Sequence, residues 1–128
     1  MSVTVKGKVF TGLSEGGRYT KLAWVRKQIK EKLGFNPYPG TLNLTLSSEA
    51  RIGNLLSKAK GWEIKPEEGY FSGRFYRATV MRKVHAAVVR PEVIEYPENV
   101  LEIVAPICLR EELHLKDGDE VEVEIWLE

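Results

Sequence analysis

The sequence predicts a small, mainly β protein closed into a barrel, with one main α-helix. Three observations point there. Six or seven short apolar segments are bounded by Gly, Pro and Asp-Gly turn signals, and a single segment has helical periodicity. Strand and helix do not alternate in repeating units, as a doubly wound parallel sheet would require. At 128 residues the chain is expected to form one domain, 1–128, large enough to bury a real core.

Val3, Val5, Val9 and Phe10 predict a first strand, interrupted by Gly7 and ended by a glycine loop at Gly12 to Gly17. From Lys21 to Leu33, Leu22, Val25, Ile29 and Leu33 recur at three- and four-residue steps, with Arg26, Lys27, Lys30, Glu31 and Lys32 on the wet side. Gly34 is placed to terminate that helix. Thr41 to Leu46 is the next strand, and Ser48 to Lys58 is weakly helical. Pro66 to Gly69 reads as a turn, and Phe71 to Val80 as a hairpin turning at Ser72-Gly73. Ala86 to Arg90 and Leu101 to Val104 are short strands stopped by Pro91 and Pro106. Leu109 to Leu113 predicts a turn of helix, and Lys116 to Asp119 a tight turn. The last strand alternates, with Val121, Val123, Ile125 and Leu127 on one side and Glu122, Glu124 and Trp126 on the other.

Nineteen basic and eighteen acidic residues give a formal charge of +1, so no global field recruits nucleic acid; phosphate would have to be held by a local cluster. Cys108 has no second cysteine to pair with and lies in an apolar run, which predicts an inert buried thiol. His85 and His114 are the only histidines and neither neighbours Cys108 at ligand spacing. His85 is expected to be structural or exposed, and Trp24, Tyr38 and Tyr76 to be core or rim aromatics. Neither a signal peptide nor a membrane-length apolar run is present, so a cytoplasmic protein with no membrane partner is expected.

The most informative stretch is Leu33 to Leu44, which contains Pro37-Tyr38-Pro39-Gly40-Thr41-Leu42-Asn43-Leu44. Two prolines and a glycine make a rigid break that feeds a strand. On that strand Thr41 and Asn43 share one face and the leucines take the other. A hydroxyl and an amide carbonyl two residues apart are hard oxygen donors, suited to a magnesium ion that also holds substrate phosphates. Neither standard nucleotide fingerprint occurs: there is no GxxxxGK[ST] and no strand-linked GxGxxG. The loop Gly12-Leu13-Ser14-Glu15-Gly16-Gly17-Arg18 still has suitable materials, since Gly16 and Gly17 let backbone amides converge on an anion and Arg18 adds charge. Arg110 can bind phosphate through paired donors or stack on a base; as a plain helix residue it would pair with Glu111 or Glu112. Glu102 stands in an apolar run, opposite in alternation to Leu101 and Ile103. On the inner face of a barrel rim such an acid could orient or deprotonate a hydroxyl.

In their order and separation, the Gly12 to Tyr19 loop, the PYPGTLNL core and the run from Leu101 to Glu111, LEIVAPICLRE, closely resemble the archaeal CTP-dependent riboflavin kinases. The resemblance extends from about Lys6 to Ile125. It implies a six-stranded cradle-loop barrel that phosphorylates riboflavin at the ribityl 5'-hydroxyl, giving FMN and CDP from CTP. Some members carry a helix-turn-helix domain in front, which is not expected here. Carried onto this chain, the resemblance puts nucleotide binding at Gly12, Leu13, Ser14, Glu15, Gly16, Gly17 and Arg18, and again at Ile107, Cys108, Leu109, Arg110, Glu111 and Glu112. It implies Mg2+ on Thr41 and Asn43, flavin at Ile94 and Glu102, and a catalytic or orienting role for Glu102. Two departures stand out: Ser14 where many relatives have glycine, and Ile94 where many have threonine. A monomer is expected. A non-catalytic barrel that binds flavin or nucleotide is the alternative, and a DNA-binding barrel is disfavoured by the balanced charge.

Overall fold

The computed structural model describes residues 1–11, 19–47, 50–93 and 96–127. In chain order its elements are β1 (Ser2–Phe10), α1 (Ala23–Leu33), β2 (Leu42–Thr45), α2 (Ile52–Lys58), β3 (Trp62–Ile64), β4 (Gly73–Val80), β5 (Val84–Pro91), β6 (Val100–Val104), α3 (Leu109–Glu112) and β7 (Glu120–Trp126). The sheet order is β3-β4-β5-β6-β2-β1-β7, and β4 also pairs β7, which closes six antiparallel strands into a barrel. β3 lies outside it. The edge of β4 is divided: Gly73 to Phe75 pairs with β3, whereas Ala78 to Val80 pairs with β7.

The period-two pattern of the strands sends Leu42, Leu44, Leu101, Ile103, Tyr76, Val121, Val123 and Ile125 into one interior cluster. A second cluster forms on the outside. There the dry stripe of α1, Val25 and Ile29, packs on Ile64, Phe75, Ala87, Val89 and Val104. Burying one such aliphatic side chain contributes about 1.5–3 kcal/mol. α1 ends as its sequence requires: Gly34 adopts φ 81° and donates its N–H to the Lys30 carbonyl at 2.9 Å, while Lys30 and Lys32 complement the C-terminal dipole.

Four local expectations change. Gly7 does not interrupt β1; it pairs with Val121, and a Cβ there would come within 3.0 Å of Leu44 Cβ, so glycine permits close approach of β1 to β2. The partner of β4 in the predicted hairpin is Trp62–Ile64, not a strand turning at Ser72-Gly73. Arg26 is half-buried instead of wet, because its Nη2 donates to the Pro37 carbonyl at 3.1 Å. Cys108 is free but only half-buried. No helix among the described residues is long and apolar enough to cross a membrane.

Candidate functional site

The site is built where the Pro-Gly break meets the barrel. Two bonds hold that break in place: Arg26 to the Pro37 carbonyl, and the Tyr38 N–H to the Ala105 carbonyl at 2.7 Å. Gly40 then takes φ 111°, a conformation open to glycine and strained for other residues, and the chain enters β2. With Leu42 and Leu44 buried inside, Thr41 and Asn43 are half-buried on the outer face. Their oxygens converge, Thr41 Oγ1 donating to Asn43 Oδ1 at 3.4 Å.

Asn43 sits in a continuous row across the sheet. Its partners are Phe10 on β1 and Glu102 on β6; Glu102 in turn pairs with Val89, and Val89 with Phe75. Directly opposed residues share a face, so Glu102 belongs to the outer face with Asn43. This corrects the expected inner-face placement: Leu101 and Ile103 fill the interior, and Glu102 is buried on the other side.

Glu102 is only 5% exposed. Its Oε1 accepts the Tyr96 hydroxyl at 2.6 Å, while Oε2 is buried and has no hydrogen-bond partner among the described residues. Burial raises its pKa above the ordinary glutamate range, against opposing contributions from the Tyr96 hydrogen bond and the Arg90 charge. Burial, with Glu102 beside it, also pushes the Tyr96 phenol up, so that it stays a donor. The Arg90 guanidinium lies 4.7 Å from the centre of the Tyr96 ring. A cavity of about 590 Å³ opens beside this group, lined by Tyr96, Arg90, Arg74, Tyr76 and Gly53 among others.

A smaller cavity of about 110 Å³ joins the two halves of the predicted nucleotide and metal region: Gly40 and Thr41 line one side, and Ile107, Cys108, Leu109 and Arg110 the other. Leu109 also belongs to the barrel core. Glu111 and Glu112 are exposed on α3 and do not line this cavity. Arg110 pairs with neither of them. Its Nη2 contacts Asp117 Oδ1 at 2.6 Å and the Phe10 carbonyl at 3.3 Å. Asp117 Oδ2 accepts the Thr11 hydroxyl at 2.8 Å, and hydrogen bonds from Arg110 and Thr11 lower the Asp117 pKa. The predicted loop residues Gly12, Leu13, Ser14, Glu15, Gly16, Gly17 and Arg18, and also Ile94, lie outside the described residues.

Sequence reasoning missed Tyr96, Arg90 and Asp117 as parts of the site. Each reaches its partner through tertiary structure, from an irregular segment, a strand or a tight turn. His85 is exposed, as expected, and Tyr76 is a core aromatic whose hydroxyl donates to the Leu56 carbonyl.

A family model for CTP-dependent riboflavin kinases, described as a domain of unknown function (DUF120), matches residues 9–125. Among curated proteins, a riboflavin kinase of Methanocella arvoryzae is 46% identical over 119 residues, covering 93% of this chain and 55% of its own length. One of Archaeoglobus fulgidus is 40% identical over 130 residues, covering 98% of this chain and 56% of its own length. One of Sulfurisphaera tokodaii is 38% identical over 129 residues, covering 96% and 95%. The chain thus spans little more than half the length of the first two and nearly all of the third.

Proposed function

The chain belongs to the CTP-dependent riboflavin kinase family, and on that basis we propose that it transfers the terminal phosphoryl group of CTP to the ribityl 5'-hydroxyl of riboflavin, releasing FMN and CDP. The observation that carries this reading is the juxtaposition of Asn43 and Glu102 across β2 and β6, with one carboxylate oxygen of Glu102 buried and unpartnered among the described residues. An acid in that state is suited to accept a proton from a hydroxyl brought against it.

Thr41 and Asn43 fit a magnesium ion: two half-buried neutral oxygens 3.4 Å apart suit a cation that takes its remaining ligands from phosphate and water. When bound, the metal would offset charge on the phosphate oxygens. The chain's own residues do the rest by placement. The small cavity between Thr41 and Arg110 holds part of the nucleotide, with Arg110 supplying donors to a phosphate or a face to the base. Glu102 takes the hydroxyl proton as the acceptor oxygen bonds to phosphorus and the bond to the CDP oxygen breaks. Its raised pKa makes it a stronger base than an exposed glutamate.

Incubation of purified protein with riboflavin, magnesium and each of the four nucleoside triphosphates, followed by chromatographic separation of FMN, tests donor and acceptor together. FMN should form fastest with CTP. Equal turnover with ATP would overturn the donor assignment, and flavin or nucleotide binding without FMN would identify a non-catalytic module.

A further inference from the structure

Tyr96 has no part in the proposed reaction, yet it makes the only hydrogen bond to the Glu102 side chain among the described residues. At 2.6 Å the contact has the length of a charge-assisted O–H to carboxylate bond. It occupies Oε1 and leaves Oε2 buried and open. The tyrosine is itself held: Arg90 lies over its ring at 4.7 Å and reaches toward the Pro97 and Val100 carbonyls, each at 3.5 Å. Gly53 leaves room for that guanidinium, since a Cβ there would stand 2.7 Å from Arg90 Nη2.

We propose that Tyr96 is a positioning residue, held by Arg90, which fixes the Glu102 carboxylate so that Oε2 alone is presented to the acceptor hydroxyl. This rests on the reading of Glu102 as the group that receives the hydroxyl proton. A carboxylate on a flexible stem otherwise samples orientations in which neither oxygen is aligned, and small misalignments at a reacting centre cost rate with little effect on binding.

The test is a double-mutant cycle of Tyr96→Phe and Glu102→Gln, reading kcat together with the dissociation constants of riboflavin and magnesium-CTP. Tyr96→Phe should lower kcat about tenfold, the scale of one hydrogen bond to a charged group, with both affinities within about twofold of wild type. In the Glu102→Gln background it should change kcat by less than about twofold, because the group it positions is gone. Gly53→Ala, whose methyl would meet Arg90 Nη2 and the Glu98 carboxylate each at 2.7 Å and so crowd the guanidinium, should reproduce the kcat-only loss in weaker form. Multiplicative losses in the double variant, or a Tyr96→Phe effect confined to binding, would overturn the positioning role while leaving Glu102 as base. Wild-type turnover in Glu102→Gln alone would instead remove the base, and the positioning role with it.

Discussion

Asn43 and Glu102 are direct partners across the antiparallel β2–β6 ladder, so an amide oxygen and a buried carboxylate occupy neighbouring positions on the outer face of the barrel. The leucines flanking Asn43 secure that arrangement, since Leu42 and Leu44 are buried in the interior and a one-residue slip would expose them.

Thr41→Val and Asn43→Leu should each remove most activity and leave the barrel folded. Both side chains are half-buried on the outer face, so neither change opens a cavity in the interior cluster. Magnesium titrations of turnover should show a large rise in the metal required, with unchanged circular dichroism. Wild-type metal dependence in both variants would exclude the pair as ligands.

Glu102 predicts a pH dependence with a definite sign. Its folded pKa is raised by burial, whereas the unfolded chain ionises it at about 4.3. The folded state therefore prefers the protonated acid. The stability this contributes is fully present below the unfolded value and is lost as pH rises through the folded value. Urea unfolding should show wild type losing stability relative to Glu102→Gln across that window, and a constant difference would exclude the shift. Activity should move the other way, because only the ionised form accepts a proton, so the acid limb of the rate profile should lie above the ordinary carboxylate range.

Much of this was legible from residue patterns. The alternation of β7, the dry stripe of α1 and the shared face of Thr41 and Asn43 all follow from periods of 2 and 3.6. The face of Glu102 relative to Leu101 was equally readable, but not which face was interior. On β5 and β6, Ala86 to Val89 and Leu101 to Val104 are buried on both sides, because α1 covers the outside of the barrel as the core fills the inside. Two-sided burial erases the polarity contrast that would orient the strand. β3 was missed because three residues are too few to show a period. Gly7 was misread because a glycine that permits close packing and one that breaks a strand look alike in sequence.

Gly7→Ala should therefore destabilise the barrel without altering the site. The added methyl would meet Leu44 Cβ at 3.0 Å, Leu46 Cδ1 at 3.2 Å and the Thr45 carbonyl at 3.2 Å, and two of these three belong to backbone or to the rigid start of a side chain. Overpacking of this kind costs about 1–3 kcal/mol, readable as a lower urea midpoint at unchanged slope. Turnover per folded molecule should hold. A midpoint equal to wild type would mean that β1 and β2 separate at little cost.

Asp117 provides the last prediction, because it holds Arg110, which is proposed to meet the nucleotide. One carboxylate oxygen holds Arg110 and the other holds Thr11, the residue immediately before the glycine loop. Arg110 uses Nη2 for both Asp117 and the Phe10 carbonyl, and a guanidinium with five donors can still turn its remaining N–H groups to a phosphate. The ion pair thus orients the fork without consuming it. Asp117→Ala should weaken CTP binding by about two- to fivefold, the range of an exposed ion pair, since Asp117 is itself exposed. Riboflavin affinity should not change, because the side chain of Asp117 bonds Arg110 and Thr11 and not Tyr96 or Glu102. Calorimetric titration of each ligand separates the outcomes: tighter CTP binding would mean that Asp117 competes with phosphate for Arg110, and an equal loss for both ligands would mean that the turn supports the whole barrel instead of the nucleotide site.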